Sequence, residues 1–149
     1  MQKQYYPYET FKNDTRTLLK ALPNDFDTIL AISRGGLTLG HALSEALGIR
    51  NLQSIQTHLY DETNKREKIT IVDTCNLDQS SKVLIVDDIA DSGETLQALY
   101  NHLTLTYPLV HFKTATLFYK RSSCFEPDYW VNEATRWIEF FWEVDFKPL

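Results

Sequence analysis

Residues 83–95 read VLIVDDIADSGET, and this stretch decides the fold. Its first part, residues 83–86, is an unbroken apolar run, which is typical of a strand buried on both faces of a parallel sheet. Asp87 and Asp88 follow directly, at the edge where ligands usually bind in an open α/β sheet. A short turn of small and hydroxylated residues then leads into a predicted helix. The stretch therefore indicates an α/β fold with a ligand site where this strand ends.

The segments on either side extend the alternation of strands and helices. Periodicity predicts helices over residues 8–22, 37–47 and 94–105, and short apolar runs predict strands over residues 26–32, 52–59, 69–72, 83–86 and 110–118. We therefore expect one α/β domain over residues 1–149, with a mainly parallel sheet flanked by helices. After Arg121 the pattern is aromatic and irregular, and we expect residues 121–149 to form a small hood over the sheet.

Composition narrows the class of protein. The chain has 149 residues, enough for one domain that needs no disulfide or metal for its stability. Its formal charge of −5 argues against a dedicated nucleic-acid binder, so we expect no nucleic-acid partner. Cys75 and Cys124 lack metal-ligand spacing and are expected to be reduced. No signal peptide or membrane-spanning run is visible, which predicts a cytoplasmic protein without stable membrane association.

Two loops carry residue types that suit phosphate. In the turn after Asp88, backbone N–H groups and the hydroxyls of Ser92 and Thr95 lie at a predicted helix N-terminus, which favours anions. The second loop, Ser33-Arg34-Gly35-Gly36, separates a predicted strand from a helix. Its glycines let the backbone approach a ligand closely, and the Arg34 guanidinium is a forked donor for phosphate oxygens. On its own, this loop is equally compatible with a simple strand-to-helix turn.

Residues 83–95 resemble, over their whole length, the motif that binds 5-phosphoribosyl-1-pyrophosphate (PRPP) in the type I phosphoribosyltransferases. The resemblance implies that Asp87 and Asp88 serve the ribose hydroxyls and a Mg²⁺ ion, with Asp88 as the metal ligand. It assigns the 5′-phosphate to the loop that follows, and to Asp91 the catalytic role of accepting or stabilising the N7 proton of a purine. The implied PRPP-binding residues are Asp87, Asp88, Ala90, Asp91, Ser92, Gly93, Glu94 and Thr95.

The loop at residues 33–36 resembles the pyrophosphate loop of the same enzymes. That loop often contains a cis peptide bond, which would fall here between Ser33 and Arg34. The resemblance implies that Ser33, Arg34 and Gly35 contact pyrophosphate. Both loops are expected at one edge of the sheet, because the carboxyl ends of parallel strands meet there.

The charged residues 61–68 lie where the family has a mobile lid. The resemblance makes Arg66 a second contact for pyrophosphate. The Ser-Tyr pair that is common in the lid is missing, since Leu59-Tyr60 stands in its neighbourhood. From the residues alone, a solvated hairpin is the favoured interpretation of this segment.

Residues in the last part of the chain, from Lys120 onward, bear on which base the protein would recognise. Lys120 follows a predicted strand and an aromatic segment begins at Trp137, which resembles bacterial xanthine-guanine phosphoribosyltransferases in order and spacing. The resemblance implies that Lys120 donates to the purine O6 and that Trp137 stacks on the ring. A main-chain carbonyl near Ile138 and the Glu143 carboxylate are expected to meet the 2-amino group of guanine. Glu143 would disfavour xanthine, which tends to ionise. Trp142 is equally compatible with packing inside the hood.

The expected activity is the transfer of the phosphoribosyl group from PRPP to a 6-oxopurine, with release of pyrophosphate, in purine salvage. Mg²⁺ is the implied cofactor, PRPP and a purine base are the implied small-molecule partners, and a homo-oligomer, a dimer or a tetramer, is the implied assembly. Three alternatives remain. The first is a phosphoribosyltransferase for another base, which Lys120 and Trp137 argue against. The second is a PRPP-sensing regulator that binds nucleic acid. The third is an inactive relic of the enzyme, which the presence of Asp91 argues against.

Overall fold

The computed structural model describes residues 2–61 and 67–149. In chain order its elements are β1 (Lys3–Tyr6), α1 (Tyr8–Ala21), β2 (Thr28–Ser33), α2 (Leu37–Leu47), β3 (Asn51–Asp61), β4 (Glu67–Val72), β5 (Lys82–Val86), β6 (Ile89–Ala90), α3 (Glu94–Thr106), β7 (His111–Tyr119), β8 (Tyr129–Glu133), β9 (Trp137–Phe140) and α4 (Phe141–Val144). Within the described ranges, no helix is long and apolar enough to cross a membrane.

The main sheet has the strand order β4-β3-β2-β5-β7-β6, and β8 also pairs with β7. All of its pairings are parallel except the hairpin of β3 and β4. β5 lies at the centre, between β2 and β7, because its apolar side chains can be buried on both faces. The predicted α/β fold with a mainly parallel sheet is confirmed.

Two hydrophobic cores lie on opposite faces of this sheet. Alternate residues of β5 point into each core, since successive side chains of a strand face opposite ways. The core under α1 and α2 includes Phe11, Leu18, Leu39, Leu43, Leu84 and Val86. The core under α3 includes Val83, Ile85, Leu96, Leu99 and Leu103. The apolar stripes of the helices therefore pack against the two faces of the sheet. The polar residues that follow the strands lie at its carboxyl edge.

The tail departs from the sequence-based expectation. Residues after Arg121 are not irregular, because β8 extends the main sheet beside β7 and β9 forms a second, two-stranded sheet. The partner of β9 is β1, which runs parallel to it with Lys3 opposite Trp137 and Tyr6 opposite Phe140. Both ends of the chain therefore build the hood.

Candidate active site

A cleft of about 1070 Å³ opens at the carboxyl edge of β2 and β5, below the hood. The strand ends supply its floor and the β9–α4 segment supplies its opposite wall. Residues from three separately predicted sets line it together, namely Ser33, Arg34, Gly35, Asp87, Asp88, Asp91, Thr95, Lys120, Trp137, Ile138 and Glu143. The fold thus brings residues that are up to 110 positions apart in the chain into one cavity.

Asp87 and Asp88 form the floor of this cleft. Oδ1 of Asp87 accepts a hydrogen bond from the Asp88 N–H, and Oδ1 of Asp88 accepts one from the Ile89 N–H, both at 2.8 Å. Burial, and then the neighbouring charge of Asp88, raise the pKa of the Asp87 carboxyl well above its ordinary value. Burial also raises the pKa of Asp88, which is only 7% exposed. Two close carboxylates with no cation beside them are costly to ionise.

This acidic pair suits a divalent cation that is shared with a ligand. In the described part of the chain, no three His, Cys, Asp or Glu side chains come close enough to form a metal site by themselves. Mg²⁺, however, usually takes only one or two carboxylates and completes its coordination with substrate phosphates and water. A cation would also relieve the repulsion that raises the pKa of Asp87. The donor set therefore fits Mg²⁺ held jointly by Asp88, its neighbour and a phosphorylated substrate.

The loop of Ser33 to Gly36 is pressed against this pair. Its Ser33–Arg34 peptide bond is cis, where the resemblance places one. A Cβ added at Gly35 would lie only 2.5 Å from Oδ2 of Asp88, so a side chain there would displace the Asp88 carboxylate. At Gly36 an added Cβ would overlap the carbonyl oxygen of Val86. The two glycines thus let the backbone of this loop, with Arg34, reach the edge of the acidic pair.

The turn after β6 leads into the N-terminus of α3. Asp91 and Thr95 line the cleft, whereas Ala90, Ser92, Gly93 and Glu94 complete the turn around them. Gly93 has a φ of 82°, which favours glycine, and an added Cβ would overlap Oγ of Ser123. The carbonyl oxygen of Ser92 accepts the N–H of Cys124 at 2.8 Å. The loop after β7 therefore holds this turn in place.

Lys120 and Asp91 meet at the far end of the cleft. Nζ of Lys120 lies 3.5 Å from Oδ1 of Asp91, and the Lys120 N–H donates to the Ala90 carbonyl at 3.0 Å. Trp137 also lines the cleft and is 54% exposed. Its backbone N–H donates to the Gln2 carbonyl at 3.1 Å. One end of the cleft therefore combines a paired cation and carboxylate with an open aromatic face.

Comparison with known proteins agrees with this arrangement. The phosphoribosyl transferase domain model matches residues 1–148. The chain belongs to this family. It is 28% identical over 145 residues to the xanthine-guanine phosphoribosyltransferase of Idiomarina loihiensis, covering 94% of this chain and 86% of the relative.

Two solved structures of phosphoribosyltransferases share the fold over nearly their whole length. The Helicobacter pylori xanthine-guanine-hypoxanthine phosphoribosyltransferase has a TM-score of 0.87 and 34% identity, covering 97% of this chain and 96% of that one. The purine phosphoribosyltransferase of Pyrococcus horikoshii has a TM-score of 0.85 and 29% identity, covering 100% and 97% of the two chains.

The hood side of this phosphoribosyltransferase cleft contains a packing residue and an acid. Trp142 stacks on Phe140 with ring centroids 4.7 Å apart and meets Phe11 edge-on at 5.5 Å, which favours the packing role. It also lines the cleft, so its ring forms part of the wall. Burial, and then the charge of Asp88, raise the pKa of Glu143. The charge of Lys147, and to a smaller extent that of Arg34, acts in the opposite direction on this pKa.

Several residues of the cleft were not predicted. Thr135 and Arg136 reach it from the β8–β9 connection, and Lys147 reaches it from beyond α4. The only sequence signal for Arg136 is that it immediately precedes Trp137. Arg66, the expected second pyrophosphate contact, lies outside the described residues.

Proposed function

We propose that this chain transfers the 5-phosphoribosyl group from PRPP to a 6-oxopurine base and releases pyrophosphate, as in purine salvage. The observation that carries the proposal is the Lys120–Asp91 pair, 3.5 Å apart, at one end of a cleft that also contains the PRPP motif. The O6 and N7 atoms of a 6-oxopurine lie side by side on one edge of the ring. A donor for O6 and an acceptor for the N7 proton are needed at neighbouring positions, and this pair offers both.

The binding of PRPP falls to the turn that begins at Asp91 and to the loop of residues 33–36, which line the same cleft. The turn around Asp91 to Thr95, at the start of α3, offers N–H groups and a hydroxyl to the 5′-phosphate. The backbone of Ser33 and Gly35 and the Arg34 guanidinium face the pyrophosphate. Mg²⁺, when bound beside Asp88, supplies positive charge to the leaving group.

The chemistry exchanges one bond at C1′ for another. The bond from C1′ to the pyrophosphate oxygen breaks, the bond from C1′ to N9 of the base forms, and Asp91 accepts the N7 proton. Positive charge at C1′ and negative charge on pyrophosphate develop together, so Arg34 acts where charge builds up. Trp137 holds the ring flat against the site, which orients N9 toward C1′.

The 6-oxopurine class is supported by Lys120 and by the relatives. Lysine carries only donors, so it meets an oxo group well and the amino group of adenine badly. The H. pylori protein, 34% identical to this chain, is named for xanthine, guanine and hypoxanthine. The I. loihiensis relative is named for xanthine and guanine. All three bases carry an oxygen at C6.

A product assay tests the proposal. The protein is incubated with PRPP, Mg²⁺ and guanine, hypoxanthine or xanthine, and nucleotide and pyrophosphate are quantified by chromatography. We expect one pyrophosphate for each nucleotide formed, and loss of both products when a chelator removes Mg²⁺. Pyrophosphate release that does not depend on the base, or no nucleotide from any of the three bases, would refute it.

We also infer a homo-oligomer, a dimer or a tetramer, that acts in the cytoplasm, as the resemblance implies for this family. Light scattering coupled to size exclusion tests the assembly, and a monomer at assay concentration would refute it. The −5 charge supports the absence of a nucleic-acid partner. A binding assay with RNA and DNA at low and moderate salt tests that expectation.

A further inference from the structure

Arg136 holds a fixed position in the wall of the cleft. Two residues before it, the Ala134 N–H donates to the Tyr119 carbonyl at 2.9 Å, directly beside Lys120. One residue after it, the Trp137 N–H donates to the Gln2 carbonyl at 3.1 Å. The backbone that carries Arg136 is therefore pinned on both sides, to β7 and to β1. Its exposed side chain lines the same cavity as Lys120 and Trp137.

Among the described residues, no carboxylate forms an ion pair with Arg136. The charged groups beside it have other partners, since Lys120 faces Asp91 at 3.5 Å and Glu133 faces Arg121 at 3.0 Å. On the pKa of Glu143, the opposing cations are Lys147 and Arg34. Arg136 thus adds a net positive charge to the base end of the cleft.

We infer that Arg136 is a specificity-determining residue that favours the anionic form of a 2,6-dioxopurine over neutral 6-oxopurines. The inference rests on the proposed function and concerns the same site. A base with oxo groups at both C2 and C6, such as xanthine, loses a ring proton near neutral pH, whereas guanine and hypoxanthine stay neutral. A guanidinium keeps its charge throughout that range, so it distinguishes the two kinds of base by charge.

Arg136 also counteracts the repulsion between the Glu143 carboxylate and an anionic base. A carboxylate at the C2 side of the base repels an anionic ring, and by itself it would make xanthine a poor substrate. The Arg136 cation, which lines the same cleft, offsets that repulsion without removing the acceptor that guanine needs. The two residues together would let one site use both kinds of base.

Steady-state kinetics with xanthine and guanine tests the inference. Arg136→Gln is expected to lower the xanthine-to-guanine ratio of kcat/KM by about twofold to fivefold, the range for one exposed charge contact. Arg136→Lys should retain most of the ratio because it keeps the charge. Arg121→Gln is the matched control, because Arg121 is an exposed arginine of the adjoining loop that pairs with Glu133 outside the cleft wall.

Two further measurements depend on charge alone. In the wild type, the ratio should rise as the pH passes through the ionisation of xanthine, and this rise should be weaker in Arg136→Gln. The wild-type ratio should also fall with added salt, which screens exposed charges. The salt measurement needs no variant, so it applies even where a substitution impairs folding.

Several results would overturn the inference while leaving the proposed function intact. They are an unchanged ratio in Arg136→Gln, an equal loss for both bases, a change confined to the KM for PRPP, and use of guanine without any use of xanthine. The last two would point to a phosphate contact and to exclusion of anionic bases, respectively. If the wild type forms no nucleotide from any base, the proposed function fails and the inference fails with it.

Discussion

At the scale of single residues, Asp87 and Asp88 show a conflict between stability and function. Their carboxylates lie at the end of a buried strand, and burial raises the pKa of both. A group whose pKa is raised on folding binds protons more tightly in the folded state, so it costs stability once the pH exceeds its ordinary value. The pair is therefore unfavourable for the empty protein, which supports our proposal that it holds a cation together with the substrate.

Asp87→Asn should stabilise the protein and reduce its activity. The substitution removes the burial cost and the repulsion of Asp88, and a gain of about 1 kcal/mol raises Tm by about 4 °C in a chain of this length. Since the cost develops only as the pH rises above the ordinary value, the gain should be larger at about pH 7 than at about pH 5. Thermal denaturation measures it, with Asp78→Asn in an exposed loop as the control. A lower Tm at both pH values would contradict the pKa assignment.

Asp91→Asn should cut kcat by about 10²- to 10⁴-fold, the range for one acid–base group. The KM for PRPP should change far less, because the backbone of the turn still meets the phosphate. Asp78→Asn is the matched control, since Asp78 is an exposed aspartate outside the cleft wall. A loss in PRPP binding as large as the loss in kcat would make Asp91 a structural member of the turn instead.

At the scale of elements, the turn between β6 and α3 depends on the loop that follows β7. Lys120 and Cys124 donate backbone hydrogen bonds to the carbonyls of Ala90 and Ser92, at 3.0 and 2.8 Å. The same loop packs so closely on Gly93 that no side chain fits there. Lys120 and the turn at the start of α3 are therefore joined through one short segment.

Gly93→Ala and Gly48→Ala separate backbone conformation from close packing. Both glycines have positive φ, 82° and 67°, so each substitution costs about 1–2 kcal/mol for the left-handed conformation. At Gly48 no heavy atom lies within 4 Å of an added Cβ, whereas at Gly93 the Cβ would overlap Oγ of Ser123. We expect Gly93→Ala to destabilise more and also to raise the KM for PRPP, as chemical denaturation and initial rates will show. Equal effects of the two substitutions would contradict the packing argument.

Local sequence patterns predicted the helices and strands that are determined by their own residues. The α2 helix spans the predicted residues 37–47, and the three central strands follow their apolar runs. β1 was not predicted, because residues 3–6 lack an alternating pattern and their partner strand lies more than 130 positions away. β8 was missed for a similar reason, since only its pairing with β7 makes residues 129–133 a strand. Pairing between distant segments leaves no trace that periodicity can detect.

At the scale of the whole molecule, the hood joins the two ends of the chain over the site. Tyr6 of β1 is fully buried, and its hydroxyl donates to Oδ2 of Asp14 at 2.6 Å. Asn132 of β8 donates to the same carboxylate oxygen at 2.8 Å. These contacts fix β1, and with it β9 and Trp137, against the main domain. The wall of the cleft that contains Trp137 is thus built from both ends of the chain.

The same view explains which parts of the site the sequence could predict. The contiguous motif that contains Asp87, Asp88 and Asp91 was recognisable, because its residue types follow one strand in a fixed order. Lys120 and Trp137 could be placed only through a family resemblance. Arg136 and Lys147 had no such signal, since the hood alone brings them to the cleft.

The measurement that most directly tests the central claim compares guanine, hypoxanthine and adenine as acceptors with PRPP and Mg²⁺. Lys120 offers only donors at the C6 position, so an oxo group there gains a charge-assisted hydrogen bond of about 1.5–3 kcal/mol that the amino group of adenine cannot form. The account therefore predicts that kcat/KM for guanine or hypoxanthine exceeds that for adenine by at least about tenfold. Turnover of adenine that is comparable to that of guanine would contradict it.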